Sequence, residues 1–240
     1  MGIGAGMGIG KAIALLYAAE GAKVVVSDIN EQAGNEVLAE LLKNGAEAIF
    51  VKANTAIPAE QEALVNETVK HFGALHIACN NAGIGGPLAP VGEYPLDGWE
   101  KVININLSGV FYGMRYQLPA MLASGGGSIV NISSILGQVG TPTSPAYVAA
   151  KHGVVGLTKS AALAYANKNI RVNAVGPGYI KTPLLNALDE ATMNFLTTLH
   201  PIGRLGEASE VAELVLWLSS SKSSFVTGSY YAIDGGYLAQ

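Results

Sequence analysis

Ser134, Tyr147 and Lys151 are the residues whose types and spacing could do chemistry together. Tyr147 and Lys151 stand four positions apart, so a helix over 145–165 sets them on one face, one turn apart. A free phenol titrates near ~10 and is protonated at neutral pH. A fixed cation beside it favours the phenolate and draws that value toward the working range, so the pair is an acid/base device. Ser134 adds a neutral hydroxyl able to hydrogen-bond a substrate oxygen. Any helix can carry Tyr-x-x-x-Lys by chance, so the pair takes its meaning from the elements around it.

The chain opens MGIGAGMGIGKAIALLYAAEG. Gly4, Gly8 and Gly10, with Ile9 between the last two, fit G-x-x-x-G-x-G, and an amphipathic helix over 9–20 follows at once. Such a loop lets main chain approach a pyrophosphate, and the helix start supplies N–H groups and a positive dipole end. The β-branched run AKVVVSDIN then reads as a buried parallel strand ending in Asp28. A carboxylate there accepts hydrogen bonds from the adenosine ribose and repels a 2′-phosphate, so NAD(H) is expected rather than NADP(H). One feature does not fit, because only Met1, Gly2 and Ile3 precede Gly4. A strand normally takes about five or six residues. The expectation is a start truncated relative to a longer natural chain, or a first strand reduced to a stub.

The remaining elements alternate. A helix over 31–43, capped by Asn30, leads to a strand AEAIFVKAN ending in Asn54 and Thr55. Pro58 opens a helix to about Phe72, and LHIACNNAG runs into Asn81, Ala82 and Gly83. Asp97 is expected to cap a long helix over 98–123, in which Asn104 and Asn106 sit in apolar surroundings and could kink it. GSIVNISS is a fifth strand reaching Ser134, and IRVNAVGPGYIKTP a sixth with its loop. Residues 182–205 read as a partly helical segment that covers the substrate. GEASEVAELVLWLSS is a capped amphipathic helix, and SYYAIDGG is the seventh strand. Strands alternating with helices, with no repeat or linker, predict an α/β fold. It is one doubly wound domain over 1–240 with a mainly parallel seven-stranded sheet.

Composition narrows the partners. Of 240 residues, 50% are hydrophobic and 13% charged, which calls for a large core. The net charge is −4 and no basic run occurs, which argues against nucleic acid. Neither a bilayer-length apolar run nor a secretory signal pattern is present, so no membrane association and a cytoplasmic location are expected. The lone Cys79 lies in an apolar run and reads as a buried thiol. His71, His76, His152 and His200 lack metal-ligand spacing, so no metal is expected and each reads as a surface or capping residue. Trp99 and Trp217 read as packing anchors.

Taken together, the motifs resemble the short-chain dehydrogenase/reductase family in its compact branch. They are Gly4-x-x-x-Gly8-x-Gly10, Asp28, Asn80-Asn81-Ala82-Gly83, Ile105-Asn106-Leu107, Ser134, Tyr147-x-x-x-Lys151, Pro177-Gly178 and Asp234-Gly235-Gly236. The resemblance implies a Rossmann fold and hydride exchange between NAD(H) and a ketone or secondary alcohol. It implies Tyr147 as acid/base and Ser134 as the group orienting the substrate oxygen. Lys151 would bind the nicotinamide ribose and lower the phenol pKa, and Asn106 would support a water relay to Lys151. Asn54 and Thr55 match the adenine-contacting strand end, and Ile180 and Thr182 the residues holding the carboxamide. Ile3 departs from the family's usual Thr.

The substrate pocket is expected from Leu136, Gln138, Tyr179, Leu184, Leu185 and the 189–202 segment, which suits a hydrophobic ketone. Acyl-carrier-protein-linked 3-ketoacyl substrates are the runner-up. A non-catalytic dinucleotide sensor is a different class, and the Ser134, Tyr147 and Lys151 set argues against it. Family members of this kind associate, and a homotetramer is the favoured expectation.

Overall fold

The computed structural model describes residues 2–185 and 189–240. Its strands are β1 (Gly2–Ile3), β2 (Val24–Asp28), β3 (Ala48–Lys52), β4 (Ile77–Asn80), β5 (Gly127–Ile132), β6 (Ile170–Pro177), β7 (Ile180–Lys181), β8 (Gly206–Glu207) and β9 (Tyr230–Ile233). Seven of them form one parallel sheet in the order β3-β2-β1-β4-β5-β6-β9. The chain therefore builds outward from β1 in one direction, then returns and builds from β4 in the other. Crevices for ligands open at such a reversal, outside the carboxyl ends of the strands.

The helices are α1 (Gly8–Ala19), α2 (Glu31–Lys43), α3 (Pro58–Phe72), α4 (Leu96–Ile103), α5 (Gly109–Ala123), α6 (Pro145–Tyr165), α7 (Glu190–Thr198) and α8 (Ala208–Ser219). Adjacent strand residues serve opposite layers. Val25 and Ile129 pack with Leu64, Met114 and Val154 of α3, α5 and α6. Val26 and Val130 pack with Ile13, Leu41 and Val215 of α1, α2 and α8. Both faces are covered, which is why the strands are apolar without alternation.

β1 spans Gly2–Ile3 and occupies the centre of the sheet. Gly2 pairs with Val26 and Cys79, and Ile3 with Ser27 and Asn80. The N–H groups of Gly4 and Ala5 both reach the Ser27 carbonyl, at 2.8 and 3.0 Å, so the glycine loop is tied to β2 as soon as β1 ends.

Four expectations are corrected. The helix expected over 98–123 begins at Leu96 after Pro95, and Asp97 lies in its first turn instead of capping it. It is also interrupted, because Asn104–Ser108 is a π-helical segment joining α4 to α5. Buried Asn106 inside it takes its partners outside the helix, which offsets the poorer helical geometry. β7 and β8 form a separate two-stranded sheet that short runs of Ile-Lys and Gly-Glu do not announce. Trp99 and Trp217 are 41% and 36% exposed, so neither is a core anchor, although Trp217 stands edge-on to Tyr231. The cap of α8 is a reciprocal box in which the Glu207 side chain accepts a first-turn N–H and Glu210 accepts the Glu207 N–H.

Candidate active site

The glycine loop works by close approach. Gly4 and Gly8 have φ of +72° and +56°, which side chains disfavour. A Cβ on Gly4 would lie 2.7 Å from the Ala82 main chain, and one on Gly10 would overlap the Gly4 carbonyl. Asn81 Nδ2 donates to that same carbonyl at 2.7 Å, pinning the loop to the end of β4. Asp28 accepts from the Gly6 N–H and the Asn30 N–H, both at 2.9 Å, which fixes its carboxylate at the end of β2.

A cavity of about 340 Å³ lies among these groups. Gly4, Gly8, Ile9, Asp28, Asn54, Thr55, Asn81, Ala82, Gly83 and Thr182 all line it. Ile105 of the Ile105-Asn106-Leu107 motif also lines it, as do Met7, Ile29, Ala53, Ile84 and Pro183, which carry no motif of their own. Gly10 packs beneath the loop, outside that lining, and Pro177 ends β6 opposite Ile233. Gly178 and Ile180 line a second, smaller cavity of about 150 Å³ with Tyr179 and His200.

The acid/base cluster is made by β5 and α6. Lys151 is 3% exposed and its ammonium donates to the Ile132 carbonyl at 2.8 Å. Burial pushes it down to about 8. The Lys151 main-chain carbonyl in turn accepts from Ser133 Oγ at 3.0 Å, so Ser133 clamps the helix to the strand end. That leaves Ser134, 8% exposed, to act on the Tyr147 phenol, which it favours in the ionised form. Ser134 Oγ also accepts the Leu136 N–H at 3.2 Å. Burial raises the Tyr147 phenol above its usual value, Ser134 opposes this, and Tyr179 adds to it. The sequence expects Lys151 to bring the phenol down. Here desolvation outweighs that effect, because the ammonium lies 5.5 Å from the ring centre and bonds a carbonyl instead.

Asn106, not the exposed Asn104, faces inward. Its Oδ1 accepts the Ile84 N–H at 2.9 Å and its Nδ2 donates to the Ile84 carbonyl at 2.8 Å. Gly83 sits between the two elements, since a Cβ there would lie 3.3 Å from Asn106 Oδ1 and 3.7 Å from Lys151 Nζ. Behind them is a buried amide network, of which only Asn80 belongs to a motif seen in the sequence. Asn80 donates to Asn131 at 2.8 Å and accepts from Gln117 at 2.8 Å, and Asn131 donates to Thr158 at 3.0 Å. It joins β4, β5, α5 and α6.

Of the expected pocket residues, Tyr179 lines the smaller cavity, whereas Leu136, Gln138 and Leu185 line neither of the two cavities above. The Leu184 side chain and residues 186–188 lie outside the described residues. Of the two roles expected for His200, surface or capping, it takes the capping one and is buried. It is 3% exposed, its Nε2 accepts the Tyr179 N–H at 3.2 Å, and its Nδ1 bonds the Leu196 carbonyl at 2.9 Å. Cys79 is buried and its thiol is pushed up to about 12, which rules out a nucleophile.

Known proteins share this arrangement of chain. A family profile described as enoyl-(acyl carrier protein) reductase matches residues 2–238. A cyclohexanol dehydrogenase of Acinetobacter sp. (strain SE19) is 54% identical over 237 residues, covering 99% of this chain and 93% of its own. A cis-4-hydroxycyclohexanecarboxylate dehydrogenase of Sinomonas cyclohexanicum is 44% identical over 236 residues, covering 98% and 94%. Among solved structures, a gluconate 5-dehydrogenase from Burkholderia cenocepacia J2315, in complex with NADP and tartrate, superposes with a TM-score of 0.94. It is 33% identical and covers 99% of this chain and 94% of its own.

Proposed function

The chain belongs to the short-chain dehydrogenase/reductase family, and from that premise we propose that it is an NAD-linked dehydrogenase of alicyclic secondary alcohols. At the coarser level it is an oxidoreductase of secondary alcohols and ketones. The observation that carries the reading is Ser134 acting on the Tyr147 phenol, with buried Lys151 one turn along the same helix. The cyclohexanol dehydrogenase likeness supports an apolar ring as substrate.

A nicotinamide dinucleotide fits the crevice. Gly4 and Gly8 leave space that a Cβ would fill, and Asp28 presents a fixed carboxylate among the lining residues. Asp28, Asn54 and Thr55 would hold the adenosine half, Gly4, Gly8 and Ile9 the diphosphate, and Asn81, Ala82, Gly83, Ile180 and Thr182 the nicotinamide half. NAD is proposed over NADP because Asp28 would repel a 2′-phosphate, and nearby Lys52 is already engaged by Glu31 at 3.2 Å. When bound, the dinucleotide supplies or accepts the hydride.

The chain's own part is to place and protonate. Ser134 holds the substrate oxygen. Tyr147 gives its proton to a carbonyl oxygen in reduction and takes the hydroxyl proton in oxidation. Lys151 would hold the ribose of the bound dinucleotide and return the proton, with Asn106 supporting the relay. Residues 1–240 act as a single unit in which 182–205 cover the substrate, with α7 as the helical part of that cover. A cytoplasmic homotetramer is proposed, in keeping with Phe111 and Leu163 exposed on α5 and α6. Among the described residues no helix is long and apolar enough to cross a membrane. An acyl-carrier-protein-linked substrate finds less support, since Lys11, Lys23, Lys52, Lys70, Lys181 and Arg204 are each paired to a carboxylate.

The test is NADH consumption with cyclohexanone and open-chain ketones, against NADPH, in wild type and Tyr147→Phe. Wild type should turn over cyclic ketones with NADH. The variant should lose at least about 10³-fold in kcat while still binding NADH. Near-normal kcat in Tyr147→Phe would remove Tyr147 from the chemistry.

A further inference from the structure

The last strand of the sheet reaches into the acid/base cluster. Tyr230 on β9 donates its hydroxyl to the Ser134 carbonyl at 2.9 Å, although β6 lies between β9 and β5. The crossing is possible only because of what β6 lacks. A Cβ on Gly176 would overlap the Tyr230 hydroxyl and ring carbons. Gly176 is paired with Ala232 inside a regular parallel ladder and has no positive φ, so its backbone does not require glycine. The Ser134 carbonyl also accepts the Gly137 N–H at 2.9 Å, so its two lone pairs are both taken.

We propose that Tyr230 is a positioning residue for Ser134, acting through the space left by Gly176, and that the pair sets how firmly Ser134 meets the Tyr147 phenol. The proposal rests on the function proposed above and goes beyond it, because neither residue belongs to the motifs that carry that function. The Gly137 bond holds Ser134 from its own short turn, whereas Tyr230 holds it from the far side of β6. Together they stop the main chain at Ser134 from rotating, and the side chain follows the main chain. Burial and Asp234 both disfavour ionised Tyr230, so the phenol stays a donor across the working range. The groups facing Tyr147 are Ser134, Lys151 on its own helix and Tyr179 from the loop after β6, and of these Ser134 alone is held by Tyr230.

Steady-state kinetics of alcohol oxidation against pH test this in Tyr230→Phe, Ser134→Ala and the double variant. Tyr230→Phe should lower kcat about fivefold, with the KM for NAD unchanged. The rising limb of its kcat–pH profile should move to higher pH, since a looser Ser134 no longer holds the phenol down. In the Ser134→Ala background the same change should cost nothing. An equal fivefold loss in both backgrounds would show that Tyr230 does not act through Ser134, as would unchanged kcat in Tyr230→Phe. Gly176→Ala gives a second route, because it displaces the phenol without touching Tyr230. It should reproduce the pH shift in wild type and have no effect beside Tyr230→Ala, and equal effects in both backgrounds would overturn the role of Gly176. If instead Tyr147→Phe keeps its turnover, it is the proposed function that fails.

Discussion

The two ends of the crevice are assembled in opposite ways. Around Gly4, Gly8 and Gly10 the contacts are main chain on main chain, and what matters is that nothing protrudes. Around Tyr147 the contacts are made by polar side chains, reaching main-chain carbonyls and one another across β5 and α6, and what matters is that each polar atom is present. The first end should therefore fail when atoms are added, and the second when atoms are removed.

The sharpest test of that contrast is Lys151→Met, which keeps volume and deletes the ammonium. It should cut kcat by about 10²- to 10³-fold, measured by NADH formation, without lowering thermal stability, because a buried cation is costly to keep. A large fall in Tm would mean that Lys151 is chiefly structural. Gly4→Ala probes the other end by adding one carbon. Positive φ and the 2.7 Å approach to Ala82 should together cost about 3 kcal/mol in urea unfolding and weaken NADH binding in fluorescence titration. Unchanged binding would show that the loop can relax and that close approach is not its purpose.

A pH experiment compares the ends without changing the glycine loop. Lys151 titrates at about 8 in the folded chain, against 10.5 without burial. Between those values the unfolded chain binds more protons, so stability must rise with pH across that window. Cofactor-free wild type should gain on the order of 1–3 kcal/mol relative to Lys151→Met from below pH 8 to above pH 10. Parallel curves would mean that the ammonium is better solvated than its burial implies. The smallest effect belongs to Asp28→Asn, which keeps a hydrogen-bond acceptor and removes a charge. The ratio of kcat/KM for NADPH to that for NADH should rise about tenfold, and no change would remove Asp28 from cofactor discrimination.

The same contrast governs what could be read before the structure. Gly4, Asp28 and Asn81 were legible because their positions follow from strand ends and loop spacing, which are local. Ser134 was legible through the family resemblance, and the structure gives the physical reason that its neighbour Ser133 does not share the role, since Ser133 is spent on the Lys151 carbonyl. The α6 register was legible from Tyr147 and Lys151 alone. Residues whose importance depends on a partner far along the chain were not. His200 meets Tyr179 across 21 positions, Tyr230 meets Ser134 across 96, and Asn131 meets Asn80 across 51. Nothing in their immediate neighbours distinguishes them from a surface histidine, a strand tyrosine or a turn asparagine. The centre of the sheet was doubtful for the opposite reason, since two residues look too few for a strand until both neighbours supply hydrogen bonds.

The π segment has a further consequence. The Gly109 N–H reaches back five residues to the Asn104 carbonyl, so one turn holds a surplus residue. A surplus residue advances a helix by about 100°, which makes α4 and α5 a phase-shifted pair, like a crystal row on either side of a dislocation. A chain shortened by one residue there could heal the fault and form a straighter, more cohesive helix. It would also swing Asn106 away from Ile84. Cohesion and aim are in tension at this turn, and the molecule keeps the fault.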